Sequence, residues 1–279
     1  MTRPFRLVDV FGIGPFTGNP LAVVADAEGL TTEEMQAITR WLNLSETAFL
    51  LPPTDPAADY RVRIFTLAHE LPFAGHPTLG SAHAWIEAGG QSKRDGVVVQ
   101  ECGAGLVTIR REDDRLAFAA PPLLRSGTPT EAEIAEVAAV LRVDRRAIVD
   151  AAWVDNGPGW IAVMLGSADA VLALEPARYH AGRIDIGVVG PHAAGYEAAF
   201  EIRAIFGDGH GALIEDPVTG SLNASVGQWL FASGRARGAY VAAQGTRLGR
   251  TGRVHVSRDD AGQVWVEGAT RTLFTGRSG

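Results

Sequence analysis

The sequence predicts an α+β protein of two similar domains related by internal duplication, and three observations carry that expectation. Two turn-and-helix stretches follow one plan: Glu70-Leu71-Pro72-Phe73-Ala74-Gly75 stands against Glu215-Asp216-Pro217-Val218-Thr219-Gly220. Their Glu, Pro and Gly coincide at an offset of 145 residues, as do Gly89 and Gly234 beyond the helices. Strand-like segments recur in the same order upstream of each turn. WIAVML (160–165) answers PLAVV, and FEIRAIF (200–206) answers YRVRIFT (60–66), both at an offset of 140, which leaves about five extra residues around GDGHGA. Finally, PPLLRSGTPT (121–130), rich in Pro, Ser, Thr and Gly, reads as a linker. A period of this length means two domains rather than a solenoid. The expected domains are 1–122 and 123–279, with the C-terminal strand able to return to the first. Two such domains facing each other would leave a cleft, the usual place for a small ligand.

Each element has a local reason. RLVDVF (6–11) and PLAVVAD (20–26) are rich in Val and Leu and read as strands. LTTEEMQAITRWL (30–42) reads as a helix: Thr31 and Glu34 have capping-box spacing, Leu30 and Met35 can form a hydrophobic staple, and Met35, Ile38 and Leu42 give an apolar stripe. SETAFLL (45–51) and YRVRIFT are further strands, followed by a helix that opens near residue 76. GVVVQECGAGLVTIRRE and RLAFAAP read as a strand pair. Thr130 and Glu133 cap a second well-marked helix, EAEIAEVAAVL.

With 279 residues the chain has enough length for an ample core. A hydrophobic content of 46% with 20% charged residues is ordinary for a soluble globular protein. The net charge of −7 argues against a nucleic-acid or anionic-membrane surface. No apolar stretch approaches the ~18 residues of a membrane span, and MTRPFRLVDVFG is too short and mixed for a secretion signal. A single cysteine, Cys102, makes no internal disulfide, which points to a cytoplasmic chain and excludes an enzyme built on two opposed thiols.

The paired turns point to anion binding. Each ends in Gly just before an apolar, small-residue helix: Gly75-His76-Pro77-Thr78 and Gly220-Ser221-Leu222-Asn223. A helix start offers unpaired N–H groups and a partial positive charge, which together hold a carboxylate. Pro77 suits a first helical turn because it lacks an N–H. Gly-Ser and Gly-His are also ordinary N-caps when taken singly. Asp216 stands where the first copy has Leu71, so it is either specialised or the partner of a local Asx turn. His76 could move a proton near neutral pH or simply cap its helix. Glu46, in NLSETAFLL, shares a strand face with Ala48 and Leu50. A carboxyl facing apolar neighbours is expected to have its pKa raised, as a general acid/base requires. A solvated Glu at a strand end is the plain alternative. His69, His76 and His83 fall at seven-residue steps and do not make a chelating pair, so no metal is expected. FGIGPFTGNP (11–20) is not a dinucleotide fingerprint: Gly12, Gly14 and Gly18 are wrongly spaced, and Pro15 and Pro20 block the helix that should follow.

Taken in order, DVFGIGPFTGNPLAVV, NLSETAFL, FAGHPTLGSAHAW, the ECGAGLV strand and EDPVTGSLNASVGQWL resemble the phenazine-biosynthesis PhzF-like family over nearly the whole chain. The resemblance implies the diaminopimelate-epimerase-like fold, in which each domain is a mixed β-sheet wrapped around a central helix. It also implies a homodimer and a cofactor-independent isomerase of a small carboxylic acid that moves a proton within its substrate. In the best-understood members that substrate is trans-2,3-dihydro-3-hydroxyanthranilate. By the same resemblance Glu46 is the acid/base, His76 and Asp216 complete the catalytic set, and Gly75, Pro77, Thr78, Gly220 and Ser221 bind substrate. A lyase or dehydratase, an epimerase, and a non-catalytic small-molecule-binding protein are the alternatives. No cofactor, nucleic acid or membrane partner is expected.

Overall fold

The computed structural model describes residues 2–112, 114–208 and 210–278; Gly209, within the GDGHGA insertion, lies outside them. The chain divides into two compact mixed α/β units, Met1–Ala119 with Glu267–Gly279, and Ala120–Val266.

In the first unit β1 (Pro4–Val10) pairs antiparallel with β2 (Asn19–Val24), and β2 runs parallel to β3 (Glu46–Leu51). Strand β3 is antiparallel to β4 (Tyr60–Thr66), which pairs antiparallel with the two-residue β5 (Glu70–Leu71) and parallel with β6 (Val97–Cys102). The antiparallel strands β7 (Gly105–Glu112) and β8 (Arg115–Ala119) follow. The stretch expected as one member of a strand pair therefore folds back at Gly103-Ala104, and β6, β7 and β8 are three strands. A Cβ on Gly103 would lie 2.9 Å from Pro72 Cα, so the turn needs glycine there.

Helix α1 (Thr32–Leu42) carries the anticipated capping box between Thr31 and Glu34 and ends at Asn43 in the left-handed region (φ 55°). Met35 packs with Val24, Ala27, Phe49 and Phe65, flanked by Leu30 and Ile38. The Phe49 and Phe65 rings meet edge-on at 5.6 Å, a favoured aromatic geometry. Helix α2 (Gly75–Glu87) is different in kind. Most of its residues are buried, and it packs on β1, β2, β3, β4, β6 and β8. A helix enclosed on nearly all sides has to be apolar or small all round, as its Gly, Ala, Ser and Leu content allows. At Gly80 a Cβ would sit 2.5 Å from Leu21 Cδ2, so the glycine permits the close approach to β2.

The second unit uses the same pairings in the same order. A short strand β9 (Arg125–Gly127) pairs with β10 (Asp150–Asp155), so the segment expected as pure linker contributes a strand. Helix α3 (Glu131–Leu141) starts at the Thr130–Glu133 capping box. Strand β10 is antiparallel to β11 (Trp160–Met164), which leads to the short helix α4 (Ala168–Leu172) and runs parallel to β12 (Asp185–Pro191). Strand β12 is antiparallel to β13 (Phe200–Gly207), which pairs antiparallel with β14 (Leu213–Asp216) and parallel with β15 (Tyr240–Gln244). Strand β15 is antiparallel to β16 (Gly252–Arg258). The enclosed helix here is α5 (Gly220–Ala232), whose Leu222 fills the space over Gly187. Burying such a leucine stabilises the fold by about 1.5–3 kcal/mol.

The last strand, β17 (Val264–Arg277), carries the chain back to the first unit, where Thr270–Arg277 pair antiparallel with β1. His83 on α2 lies between the hydroxyls of Thr270 and Thr272, at 3.0 and 3.1 Å.

Candidate active site

In the first unit Glu46 opens β3 opposite Thr66, directly after the left-handed end of α1. His76 is the second residue of α2, and its Nε2 lies 3.5 Å from Glu46 Oε2. The His76 side chain is 4% exposed and that of Glu46 17%. Burial pushes the His76 imidazole down to about 3, because a charged ring would be stripped of water. The ring is therefore neutral at pH 7, and its contact with Glu46 is one between a neutral imidazole and a carboxyl group.

On its other edge, His76 Nδ1 lies 3.4 Å from Nδ2 of the fully buried Asn19, the first residue of β2. The sequence reading passed over Asn19, which lies in the Gly-rich stretch set aside as a failed nucleotide motif. His69 is exposed in the turn before β5, and His83 is held by β17, so the three histidines go to three different surroundings.

The start of α2 is buried and polar. Its N-cap, Ala74, is extended and supplies no side-chain cap. The N–H groups of Gly75 and His76 lie in the first turn and have no intrahelical acceptor, and Pro77 has no N–H to place. Gly75, His76, Pro77 and Thr78 are all buried. The Thr78 hydroxyl accepts from Gln100 Nε2 at 3.0 Å, while Gln100 Oε1 accepts from the Tyr60 hydroxyl at 2.8 Å. Burial raises the Tyr60 phenol well above its ordinary range, so it stays a donor. One strand earlier, Arg63 grips Glu70 with two bonds of 2.8 and 2.6 Å, fixing β5 ahead of the turn.

The second unit repeats these supports and adds an acid. Arg203 holds Glu215 with bonds of 3.0 and 2.7 Å and also donates to the Val171 and Leu174 carbonyls. The next residue is Asp216, the last of β14, 7% exposed and opposite Ala204. Asp216 Oδ2 accepts from the Thr219 hydroxyl at 2.6 Å. Thr219 is the N-cap of α5, yet its side chain serves Asp216 and does not cap its own helix. Gln244, fully buried on β15, orders the group: its Nε2 donates to Thr219 Oγ1 at 2.9 Å, and its Oε1 accepts from Thr219 N at 3.0 Å and Asn223 Nδ2 at 2.8 Å. Gly220 is buried, and Ser221, its neighbour, has a carbonyl that accepts from Asn156 Nδ2 at 2.9 Å. Pro217 carries the chain from β14 to Val218, which is fully buried.

The arrangement brings Glu46 and His76 together at a helix start that also contains Gly75, Pro77 and Thr78. It places Asp216 beside Gly220 and Ser221 at the corresponding start in the other unit. Sequence reasoning missed Asn19, Arg63, Gln100, Arg203, Thr219 and Gln244 as partners. The sequence spacing held a signal for four of them: Arg63 and Arg203 stand 140 residues apart, Gln100 and Gln244 144 apart. Chemically, each unit offers helix N–H groups for an anion; the first adds a carboxyl beside a neutral imidazole, the second a carboxyl held by a hydroxyl.

Comparison with known proteins identifies the family. The family model described as phenazine biosynthesis-like protein matches residues 8–277. The chain is 34% identical to antisense-enhancing sequence 1 of Schizosaccharomyces pombe, covering 98% of each chain. It is 30% identical to the trans-2,3-dihydro-3-hydroxyanthranilate isomerase of Pseudomonas aeruginosa, again over 98% of each. A crystal structure of the Bacillus anthracis phenazine biosynthesis protein of the PhzF family superposes with a TM-score of 0.83 at 22% identity, over 100% of this chain and 99% of that one, which establishes the shared fold. The chain belongs to the phenazine biosynthesis-like family and is an enzyme of the isomerase class.

Proposed function

We propose that the protein is a cofactor-independent isomerase of a small unsaturated or cyclic carboxylic acid, acting by proton transfer within the substrate. The observation that carries this reading is the Glu46–His76 pair, 3.5 Å apart at the buried, uncapped start of α2. In the proposal Glu46 removes a proton from a carbon next to the unsaturated acid and returns it at another carbon. The helix N–H groups and His76 stabilise the anion that develops between those steps. Asp216, Gly220 and Ser221 are the further residues proposed to act on polar groups of a substrate, in a protein proposed to be a cytoplasmic homodimer. Exclusion of water from the site would keep the abstracted proton from exchanging.

The two units are proposed to derive from one duplication. The like order of strand pairings, the Arg63–Glu70 and Arg203–Glu215 pairs and the two glutamines at the helix starts support that origin.

The test is proton NMR of the protein with trans-2,3-dihydro-3-hydroxyanthranilate in D₂O, beside Glu46→Gln. Isomerisation is expected in the native protein and absent from the variant, with deuterium entering the product only as far as water reaches the site. An elimination product would move the reading to a lyase. Full activity in Glu46→Gln would remove Glu46 from the mechanism.

A further inference from the structure

The Gly-rich stretch FGIGPFTGNP is ordered around one buried acid, Asp9. Asp9 Oδ1 accepts from Gly18 N at 2.8 Å and Asp9 Oδ2 from Thr17 N at 3.0 Å. The Thr17 hydroxyl donates to the Gly14 carbonyl at 2.7 Å and accepts from Gly14 N at 3.0 Å. A Cβ on Gly18 would lie 2.1 Å from the Val10 carbonyl and 2.6 Å from Asp9 Oδ1, so no larger residue fits the turn. Phe11 and Phe16 both adopt left-handed backbone (φ 69° and 65°), an uncommon conformation for bulky residues that surrounding structure must hold. The product of this ordering is the placement of the next residue, Asn19, whose Nδ2 faces His76 Nδ1 at 3.4 Å.

We propose that Asn19 is a positioning residue that fixes His76 as the Nε2–H tautomer, aiming the one ring proton at Glu46. A neutral imidazole carries one proton, and the partner of one nitrogen decides where it sits. The Asn19 Nδ2 that faces the ring can only donate, so Nδ1 serves as acceptor and the proton resides on Nε2. That nitrogen is the one 3.5 Å from Glu46 Oε2. His76 thereby offers a hydrogen bond to the Glu46 carboxylate, or to a substrate oxygen that takes its place, without carrying a positive charge. The opposite tautomer would present a lone pair to the carboxylate, and the two would repel. The assignment of a role in proton transfer rests on the isomerase reading above; the tautomer itself does not.

The experiment is long-range ¹H–¹⁵N correlation NMR of protein labelled at its histidine rings, at neutral pH, with His76 assigned through His76→Phe. The native ring is expected to show a protonated Nε2 and an unprotonated Nδ1. In Asn19→Asp the new carboxylate accepts a hydrogen bond, so Nδ1 is expected to gain a proton, either by exchange of tautomer or by full protonation of the ring. A native ring protonated on Nδ1 overturns the proposal, as does a folded Asn19→Asp protein whose ring spectrum is unchanged. Should Asn19→Asp fail to fold, the Asn19 side-chain amide protons decide: one is expected to shift in His76→Phe, and an unmoved pair overturns the contact. No substrate is needed, so a protein inactive on the dihydrohydroxyanthranilate but showing this tautomer would sink the proposed function and leave Asn19's role standing.

Discussion

His76 Nε2 lies 3.5 Å from Glu46 Oε2, although one residue lies in the first turn of a helix and the other starts a strand thirty residues earlier. The pair meets because β3 and α2 share the interior of the first unit, and it is buried enough that the ring is held neutral. That neutrality has a consequence for stability. The folded ring takes up its proton only near pH 3, whereas an unfolded histidine does so near its ordinary value of 6.5. Between those values the unfolded chain binds more protons, so stability rises with pH across the window and falls on acidification. The native protein is expected to lose up to about 1.4 kcal/mol per pH unit below pH ~6 through this ring. Urea titrations of native protein and His76→Asn at pH 7, 6 and 5 check it: the variant should lose less on acidification.

Removing the Glu46 carboxylate should lower the rate on the true substrate by ~10²–10⁴-fold while the fold is kept. Asp216→Asn should also lower it. Steady-state rates of the two single variants against native protein check both expectations.

Thr219 tests how Asp216 is held. Thr219→Val deletes the hydroxyl that donates to Asp216 Oδ2 and is expected to cost about 0.5–1.5 kcal/mol, the usual net scale for a hydrogen bond. Thr219→Ser keeps the hydroxyl and should cost clearly less. Gln244→Met leaves Thr219 N and Asn223 Nδ2 without their shared acceptor and is expected to cost at least as much as Thr219→Val. Chemical denaturation of the three variants against native protein gives the order directly.

Within the β1–β2 loop, Gly18 and Gly14 are expected to respond oppositely to alanine. Gly18→Ala forces a methyl into the Val10 carbonyl and should destabilise by more than about 2 kcal/mol, whereas Gly14, with nothing within 4 Å of its missing Cβ, should tolerate alanine within about 0.5 kcal/mol. Similar thermal midpoints for the two variants would contradict the geometry.

The sequence by itself determined what is local or periodic. Both capping boxes, Thr31–Glu34 and Thr130–Glu133, occur where their spacing placed them, because a cap is satisfied within one turn of chain. The cores of β2, β3, β4, β11 and β13 were legible as Val-, Ile- and Phe-rich runs, and the two turns as one pattern written twice. The strand β9 inside an apparent linker and the two-residue β5 were not legible. Each is too short to carry a strand pattern of its own, and the partner of β9 lies 26–30 residues further along the chain. The same reason hid the supports of the site. Asn19 reaches His76 across 57 residues, and Gln244 reaches Thr219 across 25. Motif spacing named Glu46, His76 and Asp216 as residues to watch; only the tertiary structure decided that the first two touch and that a threonine and a glutamine hold the third. Hydrogen bonds between buried side chains are set by where strands and helices pack, and one-dimensional spacing does not record that.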